Sequence, residues 1–154
     1  MLIYPSYAGL QPVGLSKQLR GVYTRANSFA SGIDTNIFID FLKGDTIAKE
    51  FLENGKDLST SVLTVMEVAV GLPRKNQILS FEKFLNKAHI KIVQTNEAVS
   101  IKAHSLFIQH YHTLNIGIID ALIAATAITY REKLATLNKK HFSSIPECEV
   151  VKPY

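Results

Sequence analysis

Three carboxylates, Asp34, Glu67 and Asp120, each stand in an apolar run where the chain turns from a strand or loop into a helix. Their settings are Gly32-Ile33-Asp34-Thr35-Asn36-Ile37-Phe38-Ile39, Ser61-Val62-Leu63-Thr64-Val65-Met66-Glu67 and Gly117-Ile118-Ile119-Asp120-Ala121-Leu122-Ile123. An unpaired carboxylate is costly to desolvate, so charge in such surroundings needs a partner. Clustered acids suit hard, oxygen-seeking cations such as magnesium or manganese. Each acid also has a purely structural reading. Asp34 can cap the helix that follows it, and Asp120 can be an N-cap or simply favour the helix dipole. Thr64 and Glu67 have the spacing of a capping box, in which Glu67 reaches back to a backbone N–H.

Rival chemistries find less support. His110 and His112 are two apart and point to different sides of a helix, and His89, His104 and His141 show no ligand spacing with them, so a zinc site is poorly supported. There is no Gly-x-Ser-x-Gly elbow and no phosphate-cradling glycine loop. The single cysteine, Cys148, excludes an intrachain disulfide or a cysteine-rich zinc site. Its neighbours Glu147 and Glu149 are expected to raise its pKa, which argues against a nucleophile.

The elements that must position the acids alternate in type. A strand around 29–33 leads to a helix from Thr35, with Ile37, Phe38, Phe41 and Leu42 on its apolar side, ended by Gly44. Further helices are expected over 45–54, 64–70, through Ile78–Ala88, from Thr95 or Asn96 to Tyr111, and over 120–130. Strands are expected at 58–61, 89–93, 134–137 and 148–151. Such alternation predicts an α/β fold with a parallel sheet covered on both faces, which puts ligands outside the carboxyl ends of the strands. Asp34 directly follows a strand, so it falls at that edge.

The bulk properties agree with one folded domain. The chain has 154 residues, 47% hydrophobic and 19% charged, which argues against disorder. A formal charge of +4 is compatible with a polyanionic partner. The longest apolar stretch, Ile116–Tyr130, is too short and too mixed to span a bilayer, and no basic residue precedes Lys17 in the manner of a secretory signal. No membrane association and a cytoplasmic location are therefore expected. Residues 1–30, with Pro5, Pro12, Gly9, Gly14 and Gly21, read as an irregular N-terminal extension. Its charges, Lys17, Arg20 and Arg25, suit either a solubilising tail or an RNA-contacting arm.

Taken in order, the acid segments resemble the PIN-domain family, and most closely its VapC-like toxin ribonucleases. The matching stretches are Asp34-Thr35-Asn36-Ile37-Phe38-Ile39-Asp40, Ser61 to Glu67 and on to Gly71, Asp120-Ala121-Leu122-Ile123-Ala124-Ala125-Thr126-Ala127, and Thr136-Leu137-Asn138-Lys139-Lys140-His141-Phe142 followed by Ile145-Pro146. The resemblance implies a three-layer α/β/α fold with a central parallel sheet, making residues 31–154 a PIN-like nuclease domain. It implies a magnesium- or manganese-dependent endoribonuclease, dimeric and neutralised by a cognate antitoxin. By motif match, Asp34, Glu67 and Asp120 fall on the family's acidic, metal-holding positions. Asn138 falls where many members carry a fourth acid, and Thr35 and Asn36 match residues that support the first.

Two departures stand out. Asn138 brings no charge to the fourth corner, which favours one metal ion over two. The first strand is poor in branched residues and follows a long irregular leader. Lys43, Lys139 and Lys140 are candidates for holding the RNA backbone or plain solvated lysines, and His141 is either a phosphate contact or a loop histidine. The competing functional reading is a catalytically inactive PIN-like module that binds RNA or protein, against which the intact acids argue.

Overall fold

The computed structural model describes residues 31–154; the expected N-terminal extension and the first residues of the first expected strand lie outside them. Strand β1 (Ser31–Ile33) passes through Asp34 alone into helix α1 (Thr35–Leu42). The chain continues through α2 (Thr46–Asn54), β2 (Leu58–Ser61), α3 (Val62–Val70), α4 (Lys75–Lys87) and β3 (Lys91–Val93). It ends with α5 (Glu97–Leu114), α6 (Ile118–Tyr130), β4 (Lys133–Ala135), the single-turn α7 (Lys139–Phe142) and β5 (Val150–Val151).

The strands form one sheet in the order β3-β2-β1-β4-β5. Every pairing is parallel, with Ile33 opposite Thr60 on one side and Ala135 on the other. Side chains alternate across a strand, and β4 shows the result. Ala135 joins a core of Ile33, Ile37, Phe38, Leu52 and Phe81 from β1, α1, α2 and α4, whereas its neighbour Leu134 joins Val99, Leu106, Ala124 and Phe142 from α5, α6 and α7. Two apolar cores on opposite faces of one parallel sheet make the three-layer α/β/α architecture expected of the sequence. Helix α6 is apolar nearly all round because it is packed by both α5 and β4. Its buried alanines, Ala121, Ala124, Ala125 and Ala127, let those neighbours approach closely.

Several element boundaries differ from expectation, and three of the differences have a clear local cause. Helix α3 starts at Val62 rather than Thr64 because Ser61 takes the cap, its Oγ accepting from the Leu63 N–H at 3.1 Å. Helix α6 starts at Ile118, with Gly117 as N-cap, so Asp120 lies in its first turn. Strand β3 is shorter than 89–93. His89 takes a left-handed conformation (φ 56°) beyond the end of α4, and the Ile90 N–H returns to the Leu85 carbonyl at 2.9 Å.

Candidate active site

The strand order reverses between β1 and β4: β2 and β3 build outward on one side of β1, β4 and β5 on the other. In an open parallel sheet such a switch leaves a crevice at the carboxyl ends of the two strands. Asp34 is the first residue beyond β1, and its backbone N–H donates to the carbonyl of Ala135, the last residue of β4, at 3.0 Å. The next residue after β4, Thr136, donates its hydroxyl to Asp34 Oδ2 at 2.7 Å.

Asp34 is buried, 5% exposed, and held on both oxygens. Oδ1 accepts from the Thr35 N–H at 2.8 Å, so Asp34 does cap α1. Oδ2 accepts from Asn36 Nδ2 at 2.8 Å as well as from Thr136. The Thr136 hydroxyl is itself fully used: it donates once and accepts from Asn36 Nδ2 at 3.0 Å and from the Asn138 N–H at 2.9 Å. Asn36 completes the frame by accepting from the Leu137 N–H at 3.1 Å. Cap and candidate ligand are thus one residue.

Burial pushes the Asp34 carboxyl above its ordinary value; the hydrogen bonds from Thr136, Thr35 and Asn36 pull downward, and the charge of Asp120 adds to the rise. Asp34 and Asp120 therefore face one another electrostatically. Asp120 is half-buried, and its Oδ2 lies 3.2 Å from His141 Nε2. A Cβ on Gly117 would come within 3.2 Å of that same oxygen, so the carboxylate folds back over the first turn of α6.

Glu67 enters differently. It sits mid-way along α3 and makes no capping box with Thr64, whose hydroxyl is buried and has no partner among the described residues. Instead Thr35 Oγ1 donates to Glu67 Oε2. Thr35 thereby bridges two acids, its backbone on Asp34 and its hydroxyl on Glu67. Asn138 is exposed and its side chain makes no cap bond; its link to the site is the backbone N–H on Thr136. Lys139 and Lys140 are exposed on α7 beside His141.

Among the described residues no three His, Cys, Asp or Glu side chains stand grouped as a ready ion cage. The chemistry of the donor set nevertheless fits a hard cation. It is all oxygen, and Asp34 is an anion disfavoured by burial and by a like charge, conditions a bound cation relieves. Cys148 is buried and its pKa is pushed up to about 11, first by burial and then by the charge of Asp34. The expected direction holds, but Glu147 and Glu149 are not its cause. No helix among the described residues is long and apolar enough to cross a membrane.

Sequence reasoning named the acids, Thr35, Asn36 and Asn138, but gave no role to Thr136 and left His141 undecided. Thr136 reads locally as an ordinary β-branched residue at a strand end. A polar hydroxyl one step past the strand beside the switch point was the available signal.

A PIN domain family model matches residues 33–147. The chain is 30% identical over 125 residues to a Ribonuclease VapC of Rickettsia bellii, covering 77% of this chain and 92% of the relative. It is 31% identical over 123 residues to Ribonuclease VapC19 of Mycobacterium tuberculosis, covering 76% and 95%. Among solved structures, a toxin-antitoxin complex from Klebsiella pneumoniae superposes with a TM-score of 0.67 at 32% identity, over 81% of this chain and 98% of that one. The parallel sheet, its switch-point acids and these likenesses agree: the chain belongs to the PIN-domain family.

Proposed function

We propose that this protein is a magnesium- or manganese-dependent endoribonuclease, the toxin of a type II toxin-antitoxin pair. The observation that carries the reading is Asp34, buried at the switch point, fixed by three donors and facing the charge of Asp120. Its relatives are named ribonucleases, and a structural neighbour at 32% identity is a toxin-antitoxin complex. An RNA substrate, a cognate antitoxin, a homodimer and a cytoplasmic setting belong to the same reading.

Asp34 and Asp120 would hold the ion directly. When bound, a divalent cation supplies an acidified water and relieves charge on the scissile phosphate. Glu67 acts through the frame that Thr35 builds, ordering water at the site. Thr136 and Asn36 keep Asp34 from turning away, and the backbone of Asn138 holds Thr136. Lys139 and Lys140, exposed on α7, supply positive charge for the RNA backbone.

The deciding experiment is cleavage of total RNA with manganese by wild type and by Asp120→Asn. Cleavage by wild type alone supports the assignment. Equal activity in both sinks it, and no activity in either favours a module that binds RNA or protein without cutting.

A further inference from the structure

The two facing acids are held by unlike devices. Asp34 is fixed by its own helix cap and by β4, whereas Asp120 lies on the more exposed side, with 38% of its side chain accessible. A carboxylate there is free to turn about its side-chain bonds unless something directs it. One contact directs Oδ2 and one opening admits it. His141 Nε2 meets it at 3.2 Å from the separate helix α7. Gly117, in Asp120's own turn, leaves the space that Oδ2 occupies: a Cβ there would stand 3.2 Å from Oδ2 and 3.9 Å from Cγ.

The contact does not depend on the charge of the imidazole. An ionised carboxylate only accepts, so His141 must present Nε2–H, which both the neutral Nε2 tautomer and the imidazolium possess. The contact takes one acceptor site of Oδ2 and sets the plane of the carboxylate, so its remaining lone pairs are offered to a cation in a fixed direction. A pair this accessible contributes little to folding stability. What it supplies is orientation.

We propose that His141 and Gly117 are positioning residues for Asp120, fixing the orientation in which its carboxylate is offered to a divalent cation. The proposal rests on the reading that Asp120 holds such an ion. Groups hydrogen-bonded behind a metal ligand raise metal affinity by about 10- to 100-fold, which sets the effect to look for.

The test is calorimetric titration of manganese chloride into the full chain as wild type, His141→Ala, His141→Gln, Gly117→Ala and Asp120→Asn. Melting of the metal-free proteins and kcat and KM for RNA cleavage are measured alongside. His141→Ala is expected to bind manganese about 10- to 100-fold more weakly, with kcat reduced, KM for RNA unchanged and the metal-free melting point little altered. His141→Gln, whose amide can donate to the same oxygen, should bind near the wild-type level. Gly117→Ala should bind more weakly with His141 still in place.

Wild-type manganese affinity in His141→Ala, while Asp120→Asn loses it, overturns this inference and leaves the proposed function standing. A raised KM for RNA with unchanged manganese binding makes His141 a phosphate contact and likewise overturns it. Equal manganese binding by wild type and Asp120→Asn removes the metal reading and this inference with it. Should His141→Ala melt far below wild type, the other two variants decide: failure of His141→Gln to bind, or wild-type binding by Gly117→Ala, overturns the proposal.

Discussion

Asp34 and Thr136 are 102 residues apart in the chain and 2.7 Å apart at the switch point of the sheet, joined by a hydroxyl that has no unused hydrogen-bonding capacity. One side chain therefore ties the first strand of the described structure, the cap of α1 and the turn before α7 into a single frame.

Removing that hydroxyl without changing the shape of the side chain is the sharpest probe of the frame. Thr136→Val leaves Asn36, the Asn138 N–H and the Asp34 carboxylate each short of a partner, and should destabilise the fold by about 2–4 kcal/mol. Thr136→Ser, which keeps the hydroxyl, should recover most of the loss in urea-unfolding midpoints. Equal stability of the Val and Ser variants would refute the arrangement.

The pH dependence of stability follows from the raised pKa of Asp34. The unfolded carboxyl titrates near 3.8 and the folded one above it. Between those values the folded state binds more protons than the unfolded state. This contribution is thus fully present below 3.8 and is lost as pH rises through the folded value. Metal-free wild type should lose stability relative to Asp34→Asn as pH goes from about 4 to about 7 in urea melts. Manganese should reverse the trend by favouring the charged form, raising the melting point of wild type and not of the variant. Parallel curves for the two proteins would remove the burial penalty assigned to Asp34.

Thr35 offers a separation of stability from activity. Thr35→Val keeps the backbone N–H on Asp34 and loses the hydroxyl on Glu67, an exposed bond. Such a bond contributes about 1 kcal/mol or less to folding, while misplacing a group behind a metal site lowers activity by about 10-fold or more. The measurement is RNA cleavage beside thermal melting, with Thr35→Ser as the rescue. Unchanged cleavage by Thr35→Val would leave Glu67 without the role given to it here.

Much of this site was legible because acids in apolar runs after strands are conspicuous, and strand-helix alternation implies where strands end. The parallel sheet and the position of Asp34 at its carboxyl edge both follow from that pattern. What local pattern hid were choices between equivalent partners. Thr64 and Ser61 both offer a cap for α3, and only the backbone reveals that Ser61 takes it and that Glu67 is left for Thr35. The contact of His141 with Asp120 spans 21 residues and two elements, beyond any periodicity. Helix α5 runs to Leu114, past the expected Tyr111, because Asn115 ends it in a left-handed conformation that glycine more often supplies. The rise in the Cys148 pKa had the right sign for the wrong reason, since sequence neighbours cannot report burial or the field of Asp34.

Strand β1 lies in the middle of the sheet, with β2 on one flank and β4 on the other, and β4 begins only at Lys133. A chain still emerging from the ribosome thus carries Asp34 long before it carries the strand whose last carbonyl and following hydroxyl hold it. Until β4 and Thr136 have been added, the Asp34 carboxylate lacks the hydroxyl that holds it, and its backbone N–H lacks the Ala135 carbonyl.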